Sequence, residues 1–444
     1  MVRDEARNVA YDLLRAVDER DAYANLLMPS LLRERRLGGR DAALATELAY
    51  GTLRGLGTYD EIIAACSDRP PEDIDPPLLD AMRIGVHQLL KTRVPPHAAV
   101  SATVDLVRLR VGAGAAKFAN AILRKVANRD LGQWLPIVAP DVEKDPIGHL
   151  AVTHSHPRWI TSALRDAVGG DLEETAALLA ADNERPGVTL VAWPGRGSVE
   201  ELLEAGAQPA RYSPYAAYLP DGDPGAVRAV AEGRAAVQDE ASQLVALALT
   251  RVPVEGSDRL WLDMCAGPGG KAGLLDSLAG DDRHLLAADQ RLHRARLVQR
   301  TVRRAGVVAA DGTEPAWRPA SFDRVLVDAP CTGLGALRRR PEARWRRAPE
   351  SVPDFAALQR RLLGSALEAV RPGGVVAYVT CTPHLAETRA VVESVAKRLQ
   401  GVEVLDARAF LPEADDLGEA PYAQFWPHRH GTDAMFLSLL RRVS

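Results

Sequence analysis

Cysteine, lysine and long apolar runs are scarce in this chain of 444 residues, and the scarcity of cysteine and of apolar runs each excludes a class of protein. The four cysteines, Cys66, Cys265, Cys331 and Cys381, contain no CxxC pair, so neither a disulfide framework nor a structural zinc site is expected. The sequence has no uncharged apolar stretch of about 20 residues, the length that a membrane-spanning helix needs. It begins with acidic residues and no apolar signal core, so we expect a cytoplasmic protein that binds no membrane.

Positive charge is not in excess either. The chain carries 59 Asp and Glu against 55 Lys and Arg, so its net charge of −4 gives no global positive field that would indicate a nucleic-acid partner. Only six of the 55 cations are lysines, which draws attention to Lys271 in a glycine-rich loop. Hydrophobic residues make up 47% of the chain, enough to build a core, which excludes wholesale disorder.

The pattern of apolar residues divides the chain into three parts. Residues 1–135 carry apolar stripes at helical spacing and predict an all-α bundle. Residues 136–234 begin with a proline-rich acidic linker, Pro136 to Pro146, and continue as a small mixed α/β segment with a strand at Val188–Trp193 and a helix at Val199–Ala205. Residues 235–444 alternate helices with short apolar runs, which predicts an open, mostly parallel α/β sheet that includes an antiparallel strand. The runs are Leu260–Cys265, His284–Ala288, Val307–Ala310, Val325–Asp328, Val375–Thr380, Val402–Leu405 and Met435–Leu440.

Ligands of open α/β sheets bind beyond the carboxyl ends of the strands, so the residues that follow each run matter most. The first run leads into a loop whose spacing matches neither the dinucleotide nor the ATP fingerprint: Cys265, Ala266, Gly267, Pro268, Gly269, Gly270 and Lys271. The loop is compatible with a nucleoside that bears a carboxylate, such as S-adenosylmethionine, or it is a plain tight turn. Asp289 and Asp311 end the next two runs, where an acid can hold ribose hydroxyls or lie beside a base, although a single strand-end aspartate is usually a surface or capping residue.

Two thiols follow the next two runs, in Asp328-Ala329-Pro330-Cys331 and in Thr380-Cys381. Both thiols and Asp328 would therefore meet at the mouth of a nucleoside site. A thiolate that adds to carbon 6 of a pyrimidine makes carbon 5 nucleophilic enough to take a methyl group. An acid near N3 supports the addition, and a second thiol assists release of the product. The spacing alone leaves the two cysteines interchangeable in these roles.

These segments, together with Val237–Ser242 and Trp426–Asp433, resemble the motifs of the Sun-type (Fmu-type) RNA cytosine-C5 methyltransferases. The helical part separately resembles a NusB-like RNA-binding domain, in the stretches Ala45–Arg54, Pro95–Val100 and Phe118–Arg124. A NusB-like domain fused to such a catalytic domain is similar to the bacterial enzymes that methylate a cytosine of 16S ribosomal RNA.

The resemblance implies S-adenosylmethionine as the methyl donor, no metal, and RNA as the partner, either 16S rRNA or an assembling small ribosomal subunit, with the chain acting as a monomer. It implies that the 265–271 loop, Asp289, Asp311 and Asp328 contact the cofactor or lie beside it. Cys381 would be the nucleophile, Cys331 would assist release, and Asp328 would also face the cytosine. Gly267 and Ala272 stand where that family usually has alanine and threonine, and cofactor binding is expected to survive because both residues are small.

Other residues and functions stay open. The basic segment Arg338–Arg347, which includes Trp345, is either a flexible phosphate-binding loop or a solvated one. His154 and His156 are more typical of surface or capping groups than of metal ligands. The chain could instead be a ribosome-assembly factor with a degenerate methyltransferase fold, which its two cysteines disfavour, or act on tRNA. An amino-group methyltransferase would carry an Asp/Asn-Pro-Pro-Tyr/Phe turn, which Asp328–Cys331 is not.

Overall fold

A computed structural model describes residues 4–220 and 222–443, and they form two compact units. The first unit runs up to Glu184 and also includes Leu337–Arg347. Its helices up to Glu184 are α1 (Glu5–Arg20), α2 (Ala24–Glu34), α3 (Gly39–Ser67), α4 (Pro76–Lys91), α5 (Pro96–Arg110), α6 (Ala113–Val126), α7 (Leu131–Val138), α8 (Pro146–Thr153), α9 (Arg158–Ala167) and α10 (Leu172–Ala181). The predicted all-α region is confirmed, and its core joins apolar stripes such as Val9 and Leu13 of α1 with Ile84 of α4 and Leu123 of α6.

The linker predicted from Pro136 to Pro146 is wrong at its beginning, because helix α7 continues through Pro136 to Val138. A capping box fixes the start of this helix: Asp130 accepts a hydrogen bond from the backbone of Gln133, whose side chain binds the backbone of Asp130 in return. Trp134 is buried and donates its ring N–H to the carbonyl of Val126. These contacts outweigh the destabilising effect of an internal proline.

The second unit comprises Arg185–Ala336 and Ala348–Ser444, of which Asp221 and Ser444 lie outside the described residues. It begins with a small antiparallel sheet in the strand order β2-β3-β1-β4. The predicted strand and helix of this segment are both present. The elements are β1 (Val188–Ala192), β2 (Gln208–Pro209), β3 (Ala216–Leu219), β4 (Ala235–Val237), α11 (Val199–Glu204) and α12 (Arg228–Ala231).

The larger sheet has the strand order β10-β12-β9-β8-β5-β6-β7, with β11 paired to β12. Its strands are β5 (Leu260–Asp263), β6 (His284–Asp289), β7 (Gly306–Ala309), β8 (Phe322–Asp328), β9 (Val370–Thr380), β10 (Val402–Leu405), β11 (Ala423–Gln424) and β12 (Phe436–Arg442). Pairs among β5 to β9 are parallel, whereas β12 is antiparallel to β9, β10 and β11. The predicted mostly parallel sheet with an antiparallel strand is therefore confirmed.

Helices pack on both faces of this sheet, as the alternation of side chains along β9 shows. Val375, Ala377 and Val379 belong to the core on one face, and Val376 and Tyr378 belong to the core on the other. The remaining helices are α13 (Glu240–Arg251), α14 (Gly270–Ala279), α15 (Leu292–Thr301), α16 (Ala343–Arg346, part of the first unit), α17 (Ser351–Ala369), α18 (Arg389–Arg398) and α19 (Pro427–His430). Short 3-10 turns cover Pro71–Asp73, Pro224–Ala226, Leu334–Ala336, Leu385–Glu387 and Ala407–Phe410.

Among the helices that the described residues form, none is both long enough and apolar enough to cross a lipid bilayer.

Candidate active site

The candidate site lies where β5, β6, β8 and β9 end, because these parallel neighbours bring their carboxyl ends to one edge of the sheet. The residues after β8 and β9 carry the two thiols. The Sγ atoms of Cys331 and Cys381 are 3.3 Å apart, close enough for a sulfur hydrogen bond. Cys331 is buried and Cys381 is half-buried. The sequence placed both thiols at one strand edge, and the structure brings them into direct contact.

Lys271 pairs with Asp328 at the same edge. The Lys271 ammonium, on the first turn of α14, donates to the Asp328 carboxylate at the end of β8 over 2.8 Å. Burial of Lys271 opposes its charge, but Asp328 and the neighbouring Cys381 outweigh this effect and raise the pKa of the ammonium. Lys271 therefore stays positive beside Cys381, where a cation stabilises a thiolate.

The two thiols have different surroundings. A hydrogen bond to Cys381, burial, the charge of Cys381 and then the negative charges of Glu387 and Asp328 hold the pKa of Cys331 well above its usual range. Cys331 is therefore a neutral thiol at neutral pH, whereas Cys381 has the Lys271 cation beside it. This asymmetry could not be read from the spacing of the cysteines.

The 265–271 loop turns sharply between β5 and α14. Gly269 has φ of 119°, in the left-handed region that L side chains rarely adopt, and it forms the N-cap of α14. The backbone N–H of Gly267 donates to the Asp289 carboxylate over 3.1 Å, and the backbone N–H of Ala266 donates to the carbonyl of Ala288 over 2.8 Å. These bonds place the loop against the end of β6.

Two of the other predicted cofactor residues follow the next strands, Asp289 at the end of β6 and Asp311 after β7. Asp289 is buried, and its second oxygen accepts from the backbone N–H of Arg291 over 2.9 Å. Asp311 follows β7 and accepts from the Gln290 side chain over 2.7 Å. Hydrogen bonds from the backbone and hydroxyl of Thr313 lower the pKa of Asp311, so it is an anion. Cys265 is half-buried, and burial raises the pKa of its thiol, so it is neutral.

Sequence reasoning gave no role to several buried polar residues here. Asp263, the last residue of β5, is fully buried, and burial together with the nearby Asp328 raises the pKa of its carboxyl to about 8. Glu387, Thr332 and Thr382 lie beside the thiols and are also buried. One signal was available, because each of the two site cysteines is followed directly by threonine, in Cys331-Thr332 and in Cys381-Thr382.

The basic segment that follows the Cys331 motif packs within the first unit, and both interpretations of it are wrong at Arg344. The Arg344 side chain is fully buried and donates to the carbonyls of Arg54, Ser155 and Asp182 and to the amide oxygen of Asn183. Burial lowers the pKa of its guanidinium to about 10. An arginine whose donors are used in this way is a packing element of the first unit and holds no phosphate.

His156 is not the surface or capping group that the sequence predicts. Its ring is buried, and burial lowers its pKa well below the usual range, so it is neutral. Its Nδ1 lies 2.8 Å from the carbonyl oxygen of His154, which is half-buried. Residues 4–220 and 222–443 contain no cluster of three or more His, Cys, Asp or Glu side chains that could hold a metal ion.

Comparisons with known families match both parts of the chain. A family described as NusB matches residues 4–128, and a family described as 16S rRNA methyltransferase RsmB/F matches residues 249–441. A Mycobacterium tuberculosis protein named "Putative methyltransferase Rv1407" is 53% identical over 99% of this chain and 97% of its own length. Ribosomal RNA small subunit methyltransferase B of Pseudomonas syringae pv. tomato is 31% identical over 95% of this chain and 92% of its own length.

Two solved structures share the fold. The crystal structure of PH0851 has a TM-score of 0.81 at 21% identity and covers 99% of this chain and 99% of its own. NSun6 from Pyrococcus horikoshii, solved with SFG, has a TM-score of 0.54 at 19% identity and covers 65% of this chain and 98% of its own.

Proposed function

Because the chain belongs to the RsmB/F family of RNA methyltransferases, we propose that it methylates carbon 5 of a cytosine in RNA through a covalent bond between Cys381 and carbon 6 of the base. The observation that carries this proposal is the 3.3 Å contact between the Cys331 and Cys381 sulfurs beside the Lys271–Asp328 pair. Methylation of an exocyclic amino group would need no thiol at all, whereas attack on carbon 6 of a pyrimidine needs one.

S-adenosylmethionine supplies an electrophilic methyl group when it is bound. The residues proposed to hold it fit a nucleoside with a cationic sulfur and an amino acid tail. The turn at Gly269 presents backbone and the first turn of α14 to the carboxylate of such a ligand, and Asp289 and Asp311 offer carboxylate oxygens to hydroxyl and amino groups. Asp328 borders the same loop through Lys271.

Cys381 is proposed to act as the nucleophile. Its sulfur forms a bond to carbon 6 of the cytosine, and the electron pair of the 5,6 double bond moves to carbon 5, which then takes the methyl group. The positive charge of Lys271 favours the thiolate that this attack requires. Asp328 is proposed to stabilise the protonation at N3 that accompanies the addition.

Cys331 is proposed to assist release of the product. A base removes the hydrogen of carbon 5, the bond between sulfur and carbon 6 breaks, and the electron pair returns to Cys381 as a thiolate. A neutral Cys331 thiol at 3.3 Å can donate a hydrogen bond to this departing sulfur. The structural asymmetry of the two thiols supports the assignment that the family resemblance implies.

RNA of the small ribosomal subunit is the proposed substrate, because relatives that cover 95% or more of the chain carry that target in their names. We further propose that residues 1–135 bind this RNA and that residues 235–444 carry out methyl transfer. Residues 136–234 are proposed to connect these two parts. The reaction needs free thiols, which suits the reducing cytoplasm.

The test is to locate the methyl group. The purified protein is incubated with S-adenosylmethionine and small-subunit rRNA from a strain that lacks the gene, with tRNA from the same strain as the matched control. Bisulfite sequencing is expected to show one protected cytosine in the rRNA and none in the tRNA. A methyl group on an exocyclic nitrogen, or on tRNA alone, would contradict the proposal.

A further inference from the structure

A buried carboxylate joins the loops that carry the two thiols. Glu387 lies in the 3-10 turn Leu385–Glu387, six positions after Cys381, and its side chain is fully buried. Thr332, which follows Cys331, and Thr382, which follows Cys381, are also buried. Nothing in the reaction proposed above uses any of these three side chains.

Four donors converge on the two oxygens of this carboxylate. Its Oε1 accepts from the backbone N–H of Thr332 over 2.9 Å and from the Gln359 side chain over 3.0 Å. Its Oε2 accepts from the hydroxyl of Thr332 and, over 3.4 Å, from the hydroxyl of Thr382. We call Glu387, Thr332, Thr382 and Gln359 the Glu387 cluster.

The cluster is closed by three further contacts. The hydroxyl oxygens of Thr332 and Thr382 are 3.1 Å apart, and the Gln359 amide also donates to the carbonyl of Pro330 over 2.9 Å. The hydroxyl of Tyr378, on β9, donates to the backbone carbonyl of Glu387 over 2.7 Å. The cluster therefore holds the residues on both sides of Cys331 and the residue after Cys381.

We propose that Glu387 is a positioning residue that fixes the separation and orientation of the Cys331 and Cys381 sulfurs by holding Thr332 and Thr382 together. Its role in methyl transfer rests on the proposed function, whereas its role in holding the two thiols in contact does not. A buried carboxylate is costly unless its oxygens are satisfied, and here four donors satisfy them. Such a network fixes one arrangement of the loops instead of several.

The charge of Glu387 also distinguishes the two thiols. Glu387 and Asp328 are the carboxylates whose negative charges raise the pKa of Cys331, while the Lys271 ammonium lies near Cys381. Glu387 therefore opposes ionisation of the thiol whose proposed role is to remain neutral.

Disulfide formation measures the positioning without any RNA. Diamide takes two electrons and two protons from a pair of adjacent thiols and leaves a disulfide, and peptide mass spectrometry follows the Cys331–Cys381 product. We expect Glu387→Ala to slow this reaction by about 10-fold or more, because misplacement by about 1 Å can cost a hundredfold in rate. Glu387→Gln is expected to stay within about threefold of the natural chain, since an amide oxygen can accept at the Oε1 position and its NH₂ group can donate to the threonine hydroxyls.

Glu240→Ala is the matched control for loss of a buried glutamate. Glu240 accepts from the backbone N–H groups of Tyr212 and Ser213, so its removal also leaves donors unpaired in the same unit. It is expected to leave the oxidation rate unchanged. Equal rates for Glu387→Ala and the natural chain, an equal slowing by Glu240→Ala, or a folded Glu387→Gln variant as slow as Glu387→Ala would each overturn the proposal. Absence of the disulfide from the natural chain would do so too.

Methyl-transfer kinetics give the second readout. Glu387→Ala is expected to lower kcat by about 10- to 100-fold with little change in the KM for RNA, because the thiols act in the chemical step. Glu387→Gln is expected to recover most of this loss. If Cys381→Ala kept full activity, the proposed function would fail while the diamide experiment still decided the role of Glu387.

Discussion

The Sγ atoms of Cys331 and Cys381 lie 3.3 Å apart although 50 positions separate the residues in the chain. The contact exists because β8 and β9 are parallel neighbours, so the residues that follow each strand meet at one edge of the sheet. Lys271 and Asp328 form a pair at the same edge, and the Lys271 cation lies near Cys381. The reactivity of each thiol therefore depends on the charged groups nearest to it, which are Lys271 for Cys381 and the carboxylates of Glu387 and Asp328 for Cys331.

Replacing Lys271 tests this electrostatic asymmetry. Lys271→Met removes the cation near Cys381, so the thiolate fraction at neutral pH falls and alkylation of Cys381 by iodoacetamide slows by about 10-fold, roughly one pKa unit of lost stabilisation. At alkaline pH, where the thiol is ionised in both proteins, the rates converge. Lys397→Met, at an exposed position of the same unit, is the control. Equal alkylation rates for Lys271→Met and the natural chain at neutral pH would contradict the role given to Lys271.

The carboxyl of Asp263 predicts a pH dependence of stability. Its pKa is about 8 in the folded chain, raised by burial and by Asp328, and about 3.9 in an unfolded chain. Between these values the folded state holds a proton that the unfolded state has lost, so this group makes stability fall as pH rises from about 4 to about 8. The Asp263→Asn variant should therefore lose less stability over this range in urea unfolding. Asp282→Asn, at an exposed position, is the control, and parallel curves for Asp263→Asn and the natural chain would refute the prediction.

Gly267 makes room for the residues that hold the 265–271 loop. A Cβ at this position would lie 2.4 Å from the Asp289 carboxylate and 2.8 Å from the Arg294 side chain. The family that the sequence resembles usually has alanine at this position, but in this chain Asp289 and Arg294 occupy the space of that Cβ. Gly267→Ala is therefore expected to cost about 1–3 kcal/mol of overpacking, part of it as displacement of Asp289. The Kd for S-adenosylmethionine, measured by calorimetry, should then rise by about 10-fold.

Gly364→Ala is the matched control, because its Cβ would meet nothing within 4 Å and α17 gains a better helix former. This substitution should leave cofactor affinity unchanged and stabilise the fold. An unchanged affinity in Gly267→Ala would mean that Asp289 moves aside without cost or holds no cofactor.

Arg344 is expected to be essential for stability of the first unit. Arg344→Met leaves the carbonyl of Asp182 and its neighbours without their donor, and each buried acceptor left unpaired costs about 1–3 kcal/mol. Urea unfolding should show a loss of about 3 kcal/mol or more, and Arg344→Lys should not restore it, because lysine cannot reproduce the fork of donors. The exposed Arg124→Met should stay within about 0.5 kcal/mol of the natural chain. A loss as small as this for Arg344→Met would contradict its packing role.

Much of this architecture followed from the sequence, because apolar periodicity is a local signal. The helical character of the first unit was predicted, and the apolar runs that precede Cys331 and Cys381 end where β8 and β9 end, although both strands begin three to five residues earlier than the runs. The short strand Ala216–Leu219 was missed, since it is stabilised by pairing with β1 and carries little pattern of its own.

Of the site, the sequence could predict only those residues that follow the carboxyl ends of the strands. Strand ends identified Asp289, Asp311, Asp328 and both thiols as neighbours. The residues that determine the surroundings of the thiols are far apart in the chain. Glu387, for example, accepts a hydrogen bond from Thr332, 55 positions away. The burial of Arg344 depends on carbonyls more than 160 positions away, so composition suggested a solvated or RNA-binding segment where the chain has a packed one.

The most direct measurement is electrophoresis of protein and RNA under denaturing conditions after incubation with S-adenosylmethionine and small-subunit rRNA. We predict that Cys381→Ala gives neither methylated RNA nor a covalent complex, because no sulfur bonds to carbon 6. Cys331→Ala should accumulate a complex that survives denaturation, because release is impaired while attack is not. A complex in Cys381→Ala and none in Cys331→Ala would reverse the two roles, and full methyl transfer by Cys381→Ala would contradict the covalent mechanism.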